Sequence, residues 1–262
     1  MIKISKGLDL PISGKPDLNI ADTPNVSSVS LLSNDFIGMK PTMLVREGDE
    51  VKVGTKLFED KKNKGIFFTS PAGGEIKSIN RGDKRKFLSV EIEISQNEQY
   101  IEYEFNNSVD NTKNTLISSG LWNAFRTRPF NRTPAINDIP NAIFINCCDT
   151  NPLSAEPLNI INFDKNYFDD GLKLITKLFD CNIHLCYQSD DFECTNPHII
   201  YHQFCGPHPS GLSSTHISNI YPVNLERIVW TIGYQDIISI GYLFANNSLR
   251  TYKYISLAGP SV

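Results

Sequence analysis

The sequence predicts an α/β plus β protein, with a β-rich region over 1–100 and a layered α/β domain over 101–262. Three observations predict it. Short apolar segments cut by glycine turns fill the first region. Continuous apolar runs alternating with segments of helical period fill the second. The composition, 40% apolar and 21% charged over 262 residues, supplies both a core and a wet surface.

In the first region, Met43 to Phe58 carries the turn residues Glu47-Gly48-Asp49 and Val53-Gly54, where glycine accepts positive φ without a Cβ penalty. Gly65 to Ser70, the turn Pro71-Ala72-Gly73-Gly74 and the strand Glu75 to Ile79 follow. Val90 to Ile94 alternates with period two, so one face is buried and the other wet. The pattern Gly48-Asp49-x-Val51-x-x-Gly54-x-x-Leu57, followed by Pro71-Ala72-x-Gly74-x-Ile76, resembles the biotinyl/lipoyl type of barrel-sandwich module. Carrier versions present a lysine between methionines at a hairpin tip. Here the tip reads Glu59-Asp60-Lys61-Lys62-Asn63-Lys64-Gly65, so a docking scaffold is expected rather than a swinging arm.

In the second region, Asn111 to Phe125 reads as a helix with Leu116, Ile117, Leu121 and Phe125 on one face. Arg126-Thr127-Arg128-Pro129-Phe130 then ends that helix. Its cations either favour the helix dipole or recognise a partner carboxylate or polar headgroup, with Phe130 as an apolar neighbour. Ala142 to Cys148 is a strand covered on both sides. Asp164 to Phe179 is the clearest helix, with Phe168, Leu172, Ile175 and Phe179 in register. Cys181 to Tyr187, His198 to Phe204 and Arg227 to Ile232 read as strands, Asp236 to Phe244 as a helix, and Tyr252 to Leu257 as a closing strand. This rhythm argues for a Rossmann-like layered domain with a parallel sheet.

Several function classes are excluded or weakened. The net charge of −4, with no basic stripe, argues against a nucleic-acid partner. No apolar h-region follows Met1 to Lys6, so no secretory signal is read. Ile228 to Ala245 is the best candidate for a membrane span. It contains Gln235, Asp236 and two glycines and reads better as strand, turn and helix. The cysteines 147, 148, 181, 186, 194 and 205 form no Cys-x-x-Cys pair and read as free thiols.

The loop Cys205-Gly206-Pro207-His208-Pro209-Ser210-Gly211-Leu212 leaves an apolar strand, where α/β sheets bind ligands. It has neither a dinucleotide fingerprint nor a P-loop, and its two prolines remove N–H groups that an anion nest needs. It is expected to shape a pocket or an interface, with His208 at its tip. His198 and His202, if on one strand, face the same side about 13 Å apart and cannot share an ion. Asp149-Thr150-Asn151-Pro152-Leu153 reads as a polar turn or as part of a site at the sheet edge. No catalytic, cofactor-binding or metal-binding residue is assigned.

Ten segments in collinear order are similar to one family, the A subunit of the sodium-translocating NADH:quinone oxidoreductase. They include Lys6 to Pro11, Gly38 to Met43, Val45 to Asp49, Leu57 to Asn63, Arg126 to Phe130, Asp149 to Leu153, Gly206 to Leu212 and Ser256 to Pro260. The resemblance implies a peripheral subunit on the cytoplasmic side of a bacterial inner membrane. It would dock on membrane-embedded and other subunits, with ubiquinone as a possible substrate. Flavins and iron–sulfur centres would lie in the partner subunits, with no cofactor and no direct membrane span in this chain. Members run well beyond Pro260, so the chain is expected to be an N-terminal portion. On this reading the loops Leu32 to Met39, Arg126 to Phe130 and Gly206 to Gly211 form the quinone-side or partner-side surface. The residues expected there are Phe36, Met39, Arg126, Arg128, Phe130, Gly206, His208 and Gly211. There are two alternatives: a docking subunit with a purely structural role, or the C-type subunit of an Rnf-like ferredoxin-linked electron-transfer complex.

Overall fold

The computed structural model describes residues 1–21, 25–106 and 108–258. Gly259 and Pro260, which end the segment Ser256 to Pro260, lie outside the described residues. After β1 (Ile2–Lys3), the chain builds β2 (Ser28–Leu32), β3 (Pro41–Met43), β4 (Glu50–Val51), β5 (Lys56–Asp60), β6 (Phe67–Thr69), β7 (Gly74–Arg81) and β8 (Phe87–Ile94). Two antiparallel sheets result, in the orders β2-β8-β7-β4 and β3-β5-β6. The inward-pointing residues of their alternating strands, Leu57, Phe58, Phe68, Ile76, Phe87, Val90 and Ile92, share one core. Phe58 stacks on Phe68 at 4.7 Å and meets Phe87 edge-on at 5.2 Å. Gly48 and Gly54 take positive φ at the turns where the sequence requires it. This is the barrel-sandwich expected from the glycine pattern.

The remaining elements are α1 (Val109–Ser118), β9 (Arg126–Arg128), β10 (Ala142–Cys147), α2 (Pro157–Phe163), α3 (Lys165–Leu178), β11 (Asn182–Tyr187), β12 (Ile199–Cys205), α4 (Ser213–Ile220), β13 (Val229–Gly233) and α5 (Tyr234–Asn246). Six strands form one sheet in the order β1-β12-β11-β10-β13-β9. All neighbours are parallel except β13 and β9. From β10 the chain winds one way to β11 and β12, then returns through α4 to place β13 on the other side of β10. Helices α3 and α5 pack closely because Gly171 faces the Ile237 carbonyl and Gly241 the Tyr167 carbonyl, where a β-carbon would collide. On the opposite face Phe144, Phe204 and Val229 pack with Ile217 of α4. The β1 strand crosses from the first region to pair with β12.

Three expectations change. The first helix stops at Ser118, not Phe125, because Gly120 turns the chain at φ +82 and Leu121–Ala124 tightens into a 3-10 turn. Arg126 to Arg128 therefore does not end a helix. It is an edge strand antiparallel to β13, and no helix dipole acts on its cations. Tyr252 to Leu257 is not a strand. It lies along α5, where the Gln235 side-chain amide donates to the Tyr254 carbonyl at 2.8 Å and accepts from its N–H at 2.9 Å. One side chain thus takes the place of a ladder partner. Among the described residues no helix is long and apolar enough to cross a membrane, and Ile228 to Ala245 forms β13 and α5.

Candidate functional site

The barrel-sandwich and the β9 edge of the large sheet enclose a groove of about 420 Å³. One wall comes from the loop after β2 and the β5–β6 hairpin, including Phe36, Met39, Lys62 and Phe68. The other comes from the segment after β9, with Phe130, Arg132 and Ile139, and from Ile228 and Trp230 of the β13 segment. Local chemistry sets each wall. Phe36 meets Phe68 edge-on at 4.5 Å, anchoring the loop to the barrel core. Thr127 and Arg132 exchange backbone and side-chain hydrogen bonds at 2.7 and 3.2 Å, closing a turn that carries Phe130 on its outside. The Trp122 indole donates to the Pro134 carbonyl at 3.0 Å and ties down the strip beyond that turn.

Arg126 joins the two walls. Its guanidinium donates to Thr133 Oγ1 at 3.1 Å and to the Asp35 carbonyl at 3.4 Å, and lies 5.8 Å from the Phe36 ring centroid. Burial lowers its pKa from the ordinary arginine value; Asp236 and Asp35 oppose that shift and Arg128 adds to it. Burial likewise lowers the pKa of Arg128, whose Nε is buried without a hydrogen-bond partner. The Trp230 indole N–H, in a groove-lining residue, also lacks an acceptor. A buried donor left unpaired costs about 1–3 kcal/mol, so a ligand that offers an acceptor is favoured here.

The structure divides the expected residues into two groups. Phe36, Met39 and Phe130 line the groove, and Arg126 braces it. Arg128 lies beside it on β9, opposite Val229. Gly206, His208 and Gly211 lie elsewhere, at the carboxyl end of β12. Four strand steps separate β12 from β9, or about 19 Å at the usual interstrand spacing. There the loop makes a latch. The His208 N–H donates to Asp9 Oδ1 at 2.9 Å, its carbonyl accepts from Leu8 at 2.9 Å, and its Nδ1 pairs with Thr150 Oγ1 at 2.9 Å. Gly211 N–H also reaches Thr150 Oγ1 at 3.1 Å. Gly206 takes φ +115 and passes so close to the Ile4 carbonyl that a β-carbon would collide with it.

The Asp149 turn is polar as expected, its Oδ1 accepting from the Asn151 backbone and side chain at 2.9 and 2.7 Å. His198 precedes β12, while His202 pairs with His184 at 2.9 Å. Among the described residues no group of three potential ligands could hold a metal ion. Trp230, Arg132, Ile139 and Thr150 are the residues that sequence reasoning missed. Trp230 sits in the expected strand, but period two says only which face it shares. Its neighbour across the groove is set by the packing of two domains.

Two family models match the chain. One described as the NqrA N-terminal barrel-sandwich hybrid domain matches residues 2–95, and one described as the NqrA second alpha/beta domain matches 107–249. The chain belongs to the NqrA family. It is 47% identical over 270 residues to the A subunit of the Na(+)-translocating NADH-quinone reductase of Yersinia pestis, and 48% identical over 270 residues to that of Photorhabdus laumondii. Each alignment covers 100% of this chain and 60% of the relative, so the chain spans about 60% of the length of those relatives.

Proposed function

We propose that this NqrA chain works as part of a sodium-translocating NADH:quinone reductase, on the cytoplasmic side of a bacterial membrane, and that its groove receives a quinone head. The carrying observation is the groove itself: aromatic walls from both domains around an unpartnered indole donor, in a chain whose relatives are named quinone reductases. A quinone ring is flat and apolar and bears two carbonyl acceptors. Phe36, Phe68, Phe130 and Trp230 supply rings to pack against it. The Trp230 N–H and the cations of Lys62 and Arg132 supply donors for its oxygens. Reduction to the quinol takes two electrons and two protons. The electrons come from flavin and iron–sulfur centres of partner subunits, and this chain binds and orients the acceptor.

The test is photo-crosslinking of the assembled complex with a quinone analogue. Label on the Leu32–Met39 loop or on the 126–139 segment supports the reading, whereas label confined to other subunits sinks it. A second reading, docking without ligand contact, is favoured by the latch, whose polar groups are satisfied within the chain. Substituting Arg128 and His208 separately separates the two. Intact assembly with altered quinone kinetics points to ligand contact, and lost assembly points to docking.

A further inference from the structure

We propose that the mouth of the groove is a lipid-contacting surface, resting on an anionic membrane face so that a quinone passes directly between bilayer and cavity. This deepens the quinone reading and rests on it. Four large apolar side chains of the lining are exposed: Ile37 at 51%, Phe130 at 55%, Ile139 at 85% and Ile228 at 36%. Isolated exposed apolar residues are ordinary, but several gathered at one cavity mouth mark an interaction surface.

Cations surround them. Lys62 Nζ donates to the Gly38 carbonyl at 2.8 Å, and the Lys61 N–H donates to the Lys40 carbonyl at 2.7 Å, which brings Lys40, Lys61 and Lys62 to the same rim. Lys64 stands at the same hairpin tip, and the Arg132 guanidinium lies 5.8 Å from the Phe130 ring centroid. The nearby acids are fewer or engaged. Asp60 is buried and accepts from the Lys40 and Lys62 backbones, Glu59 accepts from Gly65 N–H, and Asp138 accepts from Ala135 N–H; Asp35 is exposed. The local sign is thus opposite to the chain's net charge of −4.

This chemistry selects lipid over protein. Protein interfaces are depleted in lysine, whose flexible ammonium is costly to immobilise. Interfacial membrane contacts combine Lys or Arg with Phe, Leu or Ile, letting the stems lie on acyl chains while the heads stay among phosphates. A quinone with an isoprenoid tail remains in the bilayer, so a cavity that admits its head must open toward lipid. The rim offers that opening.

The experiment uses the 262-residue chain with phosphatidylcholine vesicles, with and without phosphatidylglycerol, in co-sedimentation. In parallel, quenching of tryptophan fluorescence by a short-chain soluble quinone is followed without vesicles. The expected result is binding to the anionic vesicles only, weakened by salt. Each of Lys61→Gln, Lys62→Gln and Lys64→Gln should lower it about fivefold, from the usual contribution of one basic residue near such a surface. Ile139→Ser, at a fully accessible site, should lower it further with no change in the melting temperature. Absence of binding to either vesicle, with quenching retained, overturns the lipid surface while leaving the quinone reading standing. The rim then belongs to a protein partner or a second copy of the chain. Vesicle binding without any quenching overturns the entrance, because the surface would then lead to no quinone site.

Discussion

The two ends of the large sheet differ in how their polar groups are satisfied. At the carboxyl end of β12, where α/β sheets ordinarily bind ligands, the polar groups of the 206–212 loop meet one another, Thr150 and the β1 segment. At the β9 edge, Arg128 Nε and Trp230 Nε1 are buried without partners beside a groove with exposed apolar residues at its mouth. Fold-level rules point to the first place, and the local accounting of hydrogen bonds points to the second. Position in a sheet says where a site is convenient, whereas an unmet donor says where a ligand is favoured.

Acid should separate the two regions most strongly. Burial lowers His184 and His216 to about 4, each below its ordinary value of 6.5. The unfolded chain therefore binds protons first, and stability falls as the pH drops from 6.5 toward 4. The slope reaches about 1.4 kcal/mol per pH unit for each imidazole. His216 Nε2 meets the Ser210 carbonyl within the latch, and the groove lining contains no histidine. Denaturant unfolding as a function of pH checks the slope, and His216→Gln should change it. A flat profile between those limits would show that neither imidazole is held neutral by the fold.

Next in size, Gly206→Ala puts a side chain at φ +115 against the Ile4 carbonyl. It should cost about 2–3 kcal/mol by denaturant titration while leaving quinone quenching unchanged. Phe130→Ser should behave in the opposite way. The side chain is largely exposed, so stability should move by no more than about 0.5 kcal/mol. Affinity for a soluble quinone should fall about tenfold, because an apolar contact worth about 1.4 kcal/mol is lost. Equal effects on stability and affinity would dissolve the distinction between latch and groove. Thr150→Ala should be the mildest, costing about 1 kcal/mol from the hydrogen bonds to His208 and Gly211, with unchanged quenching.

Much of the fold was legible in the sequence, because its signals are local. The glycines at 48 and 54 mark turns, and Phe168, Leu172 and Ile175 recur on the buried face of α3. The run Ala142 to Cys147 is a strand buried on both sides. Reading failed where a local pattern was overruled. Leu121 and Phe125 continue a helical spacing past Ser118, but Trp122 and Phe125 instead pack against Trp230, and the chain straightens to pair with β13. Tyr252 to Leu257 has strand composition, yet Gln235 holds it beside a helix. The candidate site was half legible. Phe36, Met39 and Phe130 share the groove, whereas His208 and its glycines sit at the latch.

The sequence by itself determined the two kinds of architecture, the turn positions and the family, since each depends on residue type and spacing along the chain. Only the tertiary structure decided that residues as distant as Phe36, Phe130 and Trp230 enclose one cavity, and that Gly206 serves close approach to β1 rather than a ligand. The reason is physical. Backbone turns and amphipathic periods are settled by neighbours a few residues away. A cavity and its unmet donors are settled by how two separately folded cores press together.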